Sequence, residues 1–358
     1  MGSIGAASTE FCIDVFRELR VQHVNENIFY SPLSIISALS MVYLGARENT
    51  RAQIDEVFHF DKITGFGDTV DPQCGASLSV HKSLQNVFAQ ITQPKDNYSL
   101  NLASRLYAEE SYPILPEYIQ CVKELYNEGL ETVSFQTGAD QARELINSWV
   151  ENQTNGKSKP SISIGIFPSI TTFEQHMRIP VQMMYQFGSF KVAVVASEKI
   201  KILELPYASG QLSMWVLLPD EVSGLEQLEN AITFEKLTEW TSSDLTEERK
   251  IKVFLPRVKI EEKYNLTAVL MALGVTDLFS SSANFSGISA AENLKMSEAV
   301  HEAFVEIYEA GSEVVGSSGA GIEAPSDSEE FRADHPFLFL IKHNPTNSIL
   351  FFGRCFSP

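Results

Sequence analysis

The two halves of the chain carry different hydrophobic patterns, and this division restricts the possible folds more than any other feature. In the first half, apolar residues recur at the spacing of amphipathic helices. After Val181 the pattern changes to short apolar runs that end at proline or glycine, which is typical of strands. These runs are residues 212–218, 251–255, 337–341 and 349–352. Because helices and strands do not alternate, the sequence predicts an α+β fold rather than a doubly wound sheet.

One helix in the first half has a clear beginning and end. Ser31 followed by Pro32 predicts a helix start, because the hydroxyl accepts from free N–H groups and proline fits the first helical position. Gly45 predicts its end. Other helices are predicted over residues 8–19, from about Thr50, and over residues 140–150.

No linker rich in proline, serine and glycine divides the chain of 358 residues, so a single domain over residues 1–358 is predicted. One internal stretch, residues 309–330, nevertheless consists largely of glycine, serine and alanine. A segment of this length without structure is unusual inside a compact domain and is typically functional or disordered.

The charge balance excludes several partners. With 27 Lys and Arg against 46 Asp and Glu, the net charge is −19, which disfavours nucleic acid and anionic membrane surfaces. A hydrophobic content of 44% predicts a packed globule. The uncharged residues 27–46 include Pro32 and four serines, so a membrane-spanning helix is not expected there.

The chain lacks the motifs of common enzymes. No Gly-x-Ser-x-Gly motif occurs, and the glycines after residue 310 match neither a Walker motif nor a dinucleotide-binding motif. The seven histidines are scattered, and acidic pairs such as Glu329-Glu330 are typical of solvated surfaces. We therefore expect no enzymatic activity, no cofactor and no metal site.

The four cysteines fall into two groups. Cys74 and Cys121 have polar neighbours, and a disulfide between them would close a loop worth ~4 kcal/mol in the chain-entropy model. Cys12 and Cys355 lie beside phenylalanines, which favours buried, inert thiols.

The signals for the cellular compartment disagree. The first ten residues do not form an ordinary cleavable signal peptide, which favours the cytoplasm. Four Asn-x-Ser/Thr sequons and the predicted disulfide favour secretion, with residues 27–46 as an uncleaved internal signal; the same residues also fit a core helix. Asn265 and Asn284 are the best candidates for glycosylation, whereas Asn97 and Asn152 lie close to predicted helices.

Three blocks of sequence resemble the serpin family, and within it the ovalbumin branch. They are NIFYSPLSIISALSMVYLGARENTRAQI from Asn27, ILELPYASGQLSMWVLLP from Ile202, and FRADHPFLFLIKHNPTNSILFFGR from Phe331. The resemblance implies three β-sheets, eight or nine helices and an exposed reactive loop, which would be residues 309–330. In inhibitory serpins a serine protease cleaves this loop and is trapped when the loop inserts into the main sheet as a new strand.

The loop departs from what the resemblance requires for inhibition. Insertion favours small residues at the hinge, but Val314 and Val315 stand where the family has alanines, and Gly316 weakens strand propensity. Counting from the hinge places the scissile bond at Pro325-Ser326, where proline has no N–H to donate to a protease. The hinge residues implied by the resemblance are Glu309, Gly311, Ser312, Glu313, Val314, Val315 and Gly316.

The segment 157–180 does not match the family. Serpins have a long strand of the main sheet here, and this chain is a few dozen residues too short to contain it. Since the loop would insert beside that strand, we expect an incomplete main sheet, lower stability and no inhibitory transition.

The resemblance therefore implies a secreted, monomeric, non-inhibitory storage protein of egg white, which meets a serine protease only as a substrate. The alternative is a serine protease inhibitor that acts by loop cleavage and insertion.

Overall fold

The structure is a computed structural model and describes residues 3–63, 74, 79–92, 105–126, 130–154, 169–174, 178–207, 210–291, 294–307 and 327–358. These residues form nine α-helices and thirteen strands, as the α+β prediction requires. Two further turns of 3₁₀-helix cover Phe60–Lys62 and Asp277–Phe279.

The helices are concentrated in the first half of the described chain. Their bounds are α1 Ile4–Gln22, α2 Pro32–Gly45, α3 Glu48–Val57, α4 Ser79–Ile91, α5 Pro116–Tyr126, α6 Ala139–Thr154, α7 Leu225–Ala231, α8 Phe234–Trp240 and α9 Thr267–Leu273. The number agrees with the expected eight or nine. Helix α1 is longer than residues 8–19, because Ser3 accepts a hydrogen bond from the N–H of Ala6 and begins the helix earlier.

Helix α2 confirms the start and end read from the sequence. Ser31 Oγ accepts from the N–H of Ser34 at 3.2 Å, Pro32 is the first helical residue, and the helix ends at Gly45. Twelve of its fourteen residues are buried, which explains why the segment carries no charge. In the folded protein, residues 27–46 are thus a short strand and a core helix.

The strands are β1 Ile28–Tyr30, β2 Leu106–Glu109, β3 Leu130–Val133, β4 Ser169–Glu174, β5 Arg178–Val195, β6 Ile200–Pro206, β7 Leu212–Pro219, β8 Glu247–Pro256, β9 Val258–Asn265, β10 Val300–Ile307, β11 Glu330–Arg332, β12 Phe337–His343 and β13 Ser348–Cys355. They form three sheets within the described residues.

The largest sheet has nine strands in the order β1-β13-β12-β7-β6-β5-β8-β11, with β4 also paired to β5. All its pairs are antiparallel except β11 with β8. Strands β7 and β12 lie side by side near its centre, and every residue of both is buried. The sheet is held at one end by β1, whose Ile28 lies opposite Arg354 near the C-terminus.

The other two sheets have two strands each within the described residues. Strand β10 pairs antiparallel with β9 over eight residue pairs, and β2 pairs parallel with β3 over four. In the described part of the chain, no ladder joins β10 or β9 to β2 or β3. Residues 155–168, where the family has a strand of the main sheet, lie outside the described residues, so the expected incomplete main sheet stays a prediction.

The core lies where α1 and α2 pack on β13. Phe16 of α1 meets Phe352 with ring centroids 5.0 Å apart, and Phe29 of β1 stacks on Phe351 at 5.2 Å. No described helix combines the length and the apolar composition that a membrane crossing needs.

Candidate functional site

The candidate site is the pair of anchors from which the predicted reactive loop extends. Strand β10 ends at Ile307, and the described chain resumes at Asp327 and enters the large sheet as β11 at Glu330. The predicted hinge (Glu309, Gly311, Ser312, Glu313, Val314, Val315 and Gly316) and the predicted scissile bond (Pro325 and Ser326) lie outside the described residues. Their roles stay predictions.

The second anchor is held by backbone and charge. The N–H of Lys252 donates to Glu329 O at 2.9 Å, and β11 then runs parallel to β8. Arg249 Nη1 lies 3.4 Å from Glu329 Oε2, and Lys252 Nζ lies 3.8 Å from Glu330 Oε1. The sequence alone predicts that Glu329 and Glu330 are merely solvated. In the structure they join the end of the loop to β8.

Strand β10 alternates between a buried and a more exposed face. Ala303, Val305 and Ile307 are buried, as expected for a strand with one face on the core. On the same strand, His301 Nε2 accepts a hydrogen bond from the N–H of Ser31 at 2.9 Å. Burial lowers the pKa of His301 to about 4, because the uncharged ring is favoured away from water. The neutral imidazole thus connects β10 to the start of α2.

The two edges of β10 differ. One edge carries the whole ladder to β9, from Val300 opposite Asn265 to Ile307 opposite Val258. The other edge has no strand beside it among the described residues.

The two candidate glycosylation sites differ in their surroundings. Asn265 ends β9 and is exposed, with Nδ2 donating to Glu298 Oε1 at 3.3 Å. Asn284 is partly buried; its N–H donates to Thr50 Oγ1 at 2.9 Å and its Nδ2 to Glu48 Oε2 at 3.2 Å. Asn265 is the more accessible of the two. Asn97 lies outside the described residues.

The predicted disulfide is present. Cys74 and Cys121 are bonded, and their Cα atoms lie 5.9 Å apart. Cys12 and Cys355 are free and buried, as their apolar neighbours indicate. Burial raises the pKa of both thiols, so neither is a reactive thiolate. Among the described residues, no group of three or more His, Cys, Asp or Glu side chains is placed to hold a metal ion.

The comparisons with known proteins agree with this arrangement. The family model "Serpin (serine protease inhibitor)" matches residues 6–173 and 171–358, which together span nearly the whole chain. This chain belongs to the serpin family. The match is split at residues 171–173, inside the segment 157–180 that departs from the family in sequence.

Several ovalbumins are among the similar proteins. Ovalbumin of Dromaius novaehollandiae is 66% identical over 386 aligned positions and covers 100% of both chains. The crystal structure of uncleaved ovalbumin is 62% identical with a TM-score of 0.90, also over 100% of both chains. A loop-inserted, cleaved ovalbumin mutant is 57% identical with a TM-score of 0.87 over the same coverage. The chain is an ovalbumin-like serpin. Its 358 residues are 28 fewer than the 386 positions of its alignment with the ovalbumin of Dromaius novaehollandiae.

The open edge of β10 is only half visible in the sequence. The departure of residues 157–180 from the family pattern predicts that a strand is absent, but it does not predict which edge loses its partner. The cavity described below is not predicted at all, although charged residues inside apolar strands, such as Glu204 in ILELP and Lys342 in FLFLIKH, are the signal that would have found it.

Proposed function

We propose that this protein is a secreted, non-inhibitory serpin with a storage role, and that proteases cut its reactive loop as an ordinary substrate. The observation that supports the proposal is that, among the described residues, one edge of β10 has no strand beside it. The inhibitory mechanism of the family depends on rapid formation of a new central strand by the cleaved loop. That strand needs a neighbour on each side.

The free energy gained by inserting a strand depends on the number of hydrogen-bonded ladders that the strand forms. An inserted central strand gains hydrogen bonds along both edges, and each net bond contributes about 0.5–1.5 kcal/mol. A strand that joins β10 alone gains one ladder and leaves its other edge in solvent. The driving force is therefore reduced by roughly half, and the apolar face of the added strand is covered less completely.

The loop sequence supports the same conclusion independently. Val314 and Val315 are large and β-branched at the predicted hinge, and Pro325 precedes the predicted scissile bond. Proline offers no N–H to the protease at this position and has a fixed φ. Slow insertion favours release of the protease over trapping, and the proline slows the cleavage itself. The protein is then a substrate and not an enzyme.

Secretion and storage are supported by several features together. The disulfide is typical of oxidising compartments, and Asn265 is an exposed sequon. A net charge of −19 keeps a concentrated protein soluble through mutual repulsion. The relatives are named ovalbumin, and residues 27–46 remain the proposed uncleaved signal. We propose a monomer, without a nucleic-acid or membrane partner.

The decisive experiment is incubation of the purified protein with a panel of serine proteases. We expect cleavage within residues 309–330 and no protease complex that survives SDS. We also expect little gain in melting temperature after cleavage, because the cut loop has only one strand to join. An SDS-stable complex with any protease would establish the alternative, an inhibitor.

A hinge variant separates the two causes. The double change Val314→Ala and Val315→Ala restores the small residues of the family pattern, while the edge of β10 is unchanged. If the unpaired edge limits insertion, this variant also forms no complex. If the variant traps a protease, the hinge and not the sheet is responsible, and the observation that carries the proposal loses its force.

A further inference from the structure

A polar cavity lies on the large sheet. It has a volume of about 390 Å³ and opens to solvent between the sheet and the end of α8. Its charged lining consists of Lys191, Glu204 and Lys342, and its other walls include Trp215, Thr238 and Thr241. The volume lies in the range of small-molecule sites.

The strand register brings these residues together. Lys191 of β5 lies opposite Glu204 of β6, which lies opposite Trp215 of β7, so the three form one cross-strand row. Lys342 of β12 lies opposite Ser213, two residues before Trp215, and therefore on the same face of the sheet. Helix α8 and the turn after it close the cavity with hydroxyl groups.

Lys342 is held firmly but not by a carboxylate. Its side chain is only 8% exposed, and Nζ donates to Thr241 O at 2.9 Å and to Thr241 Oγ1 at 3.3 Å. Nζ lies 5.8 Å from the centre of the Trp215 ring. Among the described residues, no carboxylate lies within the 4.0 Å of an ion pair with it. Lys342 therefore lines the cavity with its amine held at Thr241.

The carboxylate of the cavity, Glu204, already has two partners. Glu204 Oε1 accepts from Ser213 Oγ at 2.7 Å, and Oε2 lies 3.5 Å from Lys191 Nζ. The indole Nε1 of Trp215 is buried and has no hydrogen-bond partner among the described residues. The cavity thus combines two amines, one carboxylate shared by Ser213 and Lys191, and an aromatic wall.

The environment of Lys342 favours its uncharged amine. Burial lowers the pKa of its ammonium group to about 8, although the charge of Glu204 opposes the shift. At neutral pH the unprotonated fraction is then roughly a hundredfold larger than for a solvated lysine. The charged groups that line the cavity are Lys191 from β5 and Glu204 from β6, and Lys191 adds a second positive charge.

We propose that this cavity captures small aromatic aldehydes that bear an anionic group, through an imine on Lys342 Nζ. The nitrogen lone pair forms a bond to the carbonyl carbon, and the carbonyl oxygen takes a proton. The nitrogen then loses its proton, the hydroxyl leaves as water, and a C=N bond remains, with no oxidant or reductant. The ring packs on Trp215, and the anionic group pairs with Lys191.

The test uses pyridoxal 5′-phosphate as the probe, because it is an aromatic aldehyde with an anionic substituent. The full-length protein is incubated with limiting probe, reduced with borohydride and mapped by peptide mass spectrometry. We expect Lys342 to be labelled at least about tenfold faster than the exposed Lys263, with half-maximal rate near pH 8 rather than above pH 10. Labelling that simply follows exposure, or a pH midpoint common to all lysines, overturns the proposal.

Two variants define the roles of the amines. Lys342→Arg keeps the charge and the hydrogen bonds to Thr241 but cannot form the imine, so labelling of the cavity peptide is lost. Lys191→Gln slows labelling by the phosphate probe and leaves labelling by uncharged benzaldehyde unchanged. If both probes slow equally, Lys191 does not bind the anionic group. Lys263→Arg is the matched control, and melting curves verify folding; the pH profile of the wild-type protein decides the question even if a cavity variant does not fold.

Discussion

Strands β12 and β10 are both buried on the core side, but they differ in how many neighbours they have. β12 lies between β13 and β7, with register on both edges. β10 has β9 on one edge and no strand on the other within the described residues. Burial of side chains and completeness of a sheet are therefore separate properties. The region that should respond to protease cleavage is the less complete one.

The largest expected effect on the free energy of unfolding comes from truncating one of two matched isoleucines, one in each strand. Ile341 of β12 and Ile307 of β10 are each 3% exposed, so the same truncation removes the same buried surface. We expect Ile341→Ala to cost about 4 kcal/mol and Ile307→Ala about 2 kcal/mol, because β10 relaxes more easily around a cavity. Urea unfolding measures both. Equal losses would show that β10 is as firmly held as the centre of the large sheet.

The disulfide tests the other two-stranded sheet. Cys121 lies in α5, which packs against β3, and the bridge to Cys74 spans 47 residues. Replacing both cysteines by serine should lower the free energy of unfolding by up to about 4 kcal/mol. Hydrogen exchange of the variant should rise at β2 and β3 before it rises at β12, with reductant-treated wild type as control. A uniform rise would mean that the bridge stabilises the whole domain.

The contact of His301 with the N–H of Ser31, which connects β10 to α2, should make the protein less stable in acid. The folded pKa of His301 is about 4, below the ordinary value near 6.5, so the unfolded chain binds the proton more tightly. Stability is therefore complete above about pH 6.5 and is lost as pH falls toward 4, by about 2 kcal/mol at pH 5.

The variant His301→Gln keeps an acceptor for the N–H of Ser31 and removes the titration. Its stability should fall less between pH 6.5 and pH 5 than that of the wild-type protein. His81, whose pKa is lowered to about 3 by burial, remains as a background that both proteins share. Identical pH profiles would mean that His301 is not the acid-sensitive contact of β10.

The smallest expected effect concerns the second loop anchor. Arg249 and Glu329 are 37% and 42% exposed, so solvent screens their attraction. Arg249→Gln should cost at most about 0.5 kcal/mol in thermal unfolding, and its effect should vanish at high salt. A larger loss would indicate that β11 depends on charge more than on its ladder to β8.

Local features of the fold are predictable from the sequence, and pairings are not. Short-range patterns predict the start of α2 at Ser31 and Pro32 and the strands with central apolar runs. They also predict which cysteines are bonded and which are free and buried. The length of β5 does not, because its eighteen residues pair with three different strands and show no single alternation. Strand β11 is not predicted, because only its pairing with β8 makes residues Glu330–Arg332 a strand.

The cavity too cannot be predicted from local sequence patterns, because it depends on strand pairing. Lys342, Glu204 and Trp215 come from three strands, and each sits in a run that looks like ordinary core. Only the register of β6, β7 and β12 places them on one face. For the loop, the sequence predicts the position and the poor hinge, while the neighbour missing from β10 depends on pairing across the chain.

The pairing of β1 with β13 has a consequence for biosynthesis. Ile28, Phe29 and Tyr30 lie opposite Arg354, Gly353 and Phe352, so β1 finds its partner only after more than 300 further residues have been made. At about 5–20 residues per second, the apolar α2 waits tens of seconds on the ribosome before this ladder forms. A nascent chain that stops before Phe351 would leave β1 without a partner and the face of α2 uncovered, which makes such truncated products clients for chaperones and proteases.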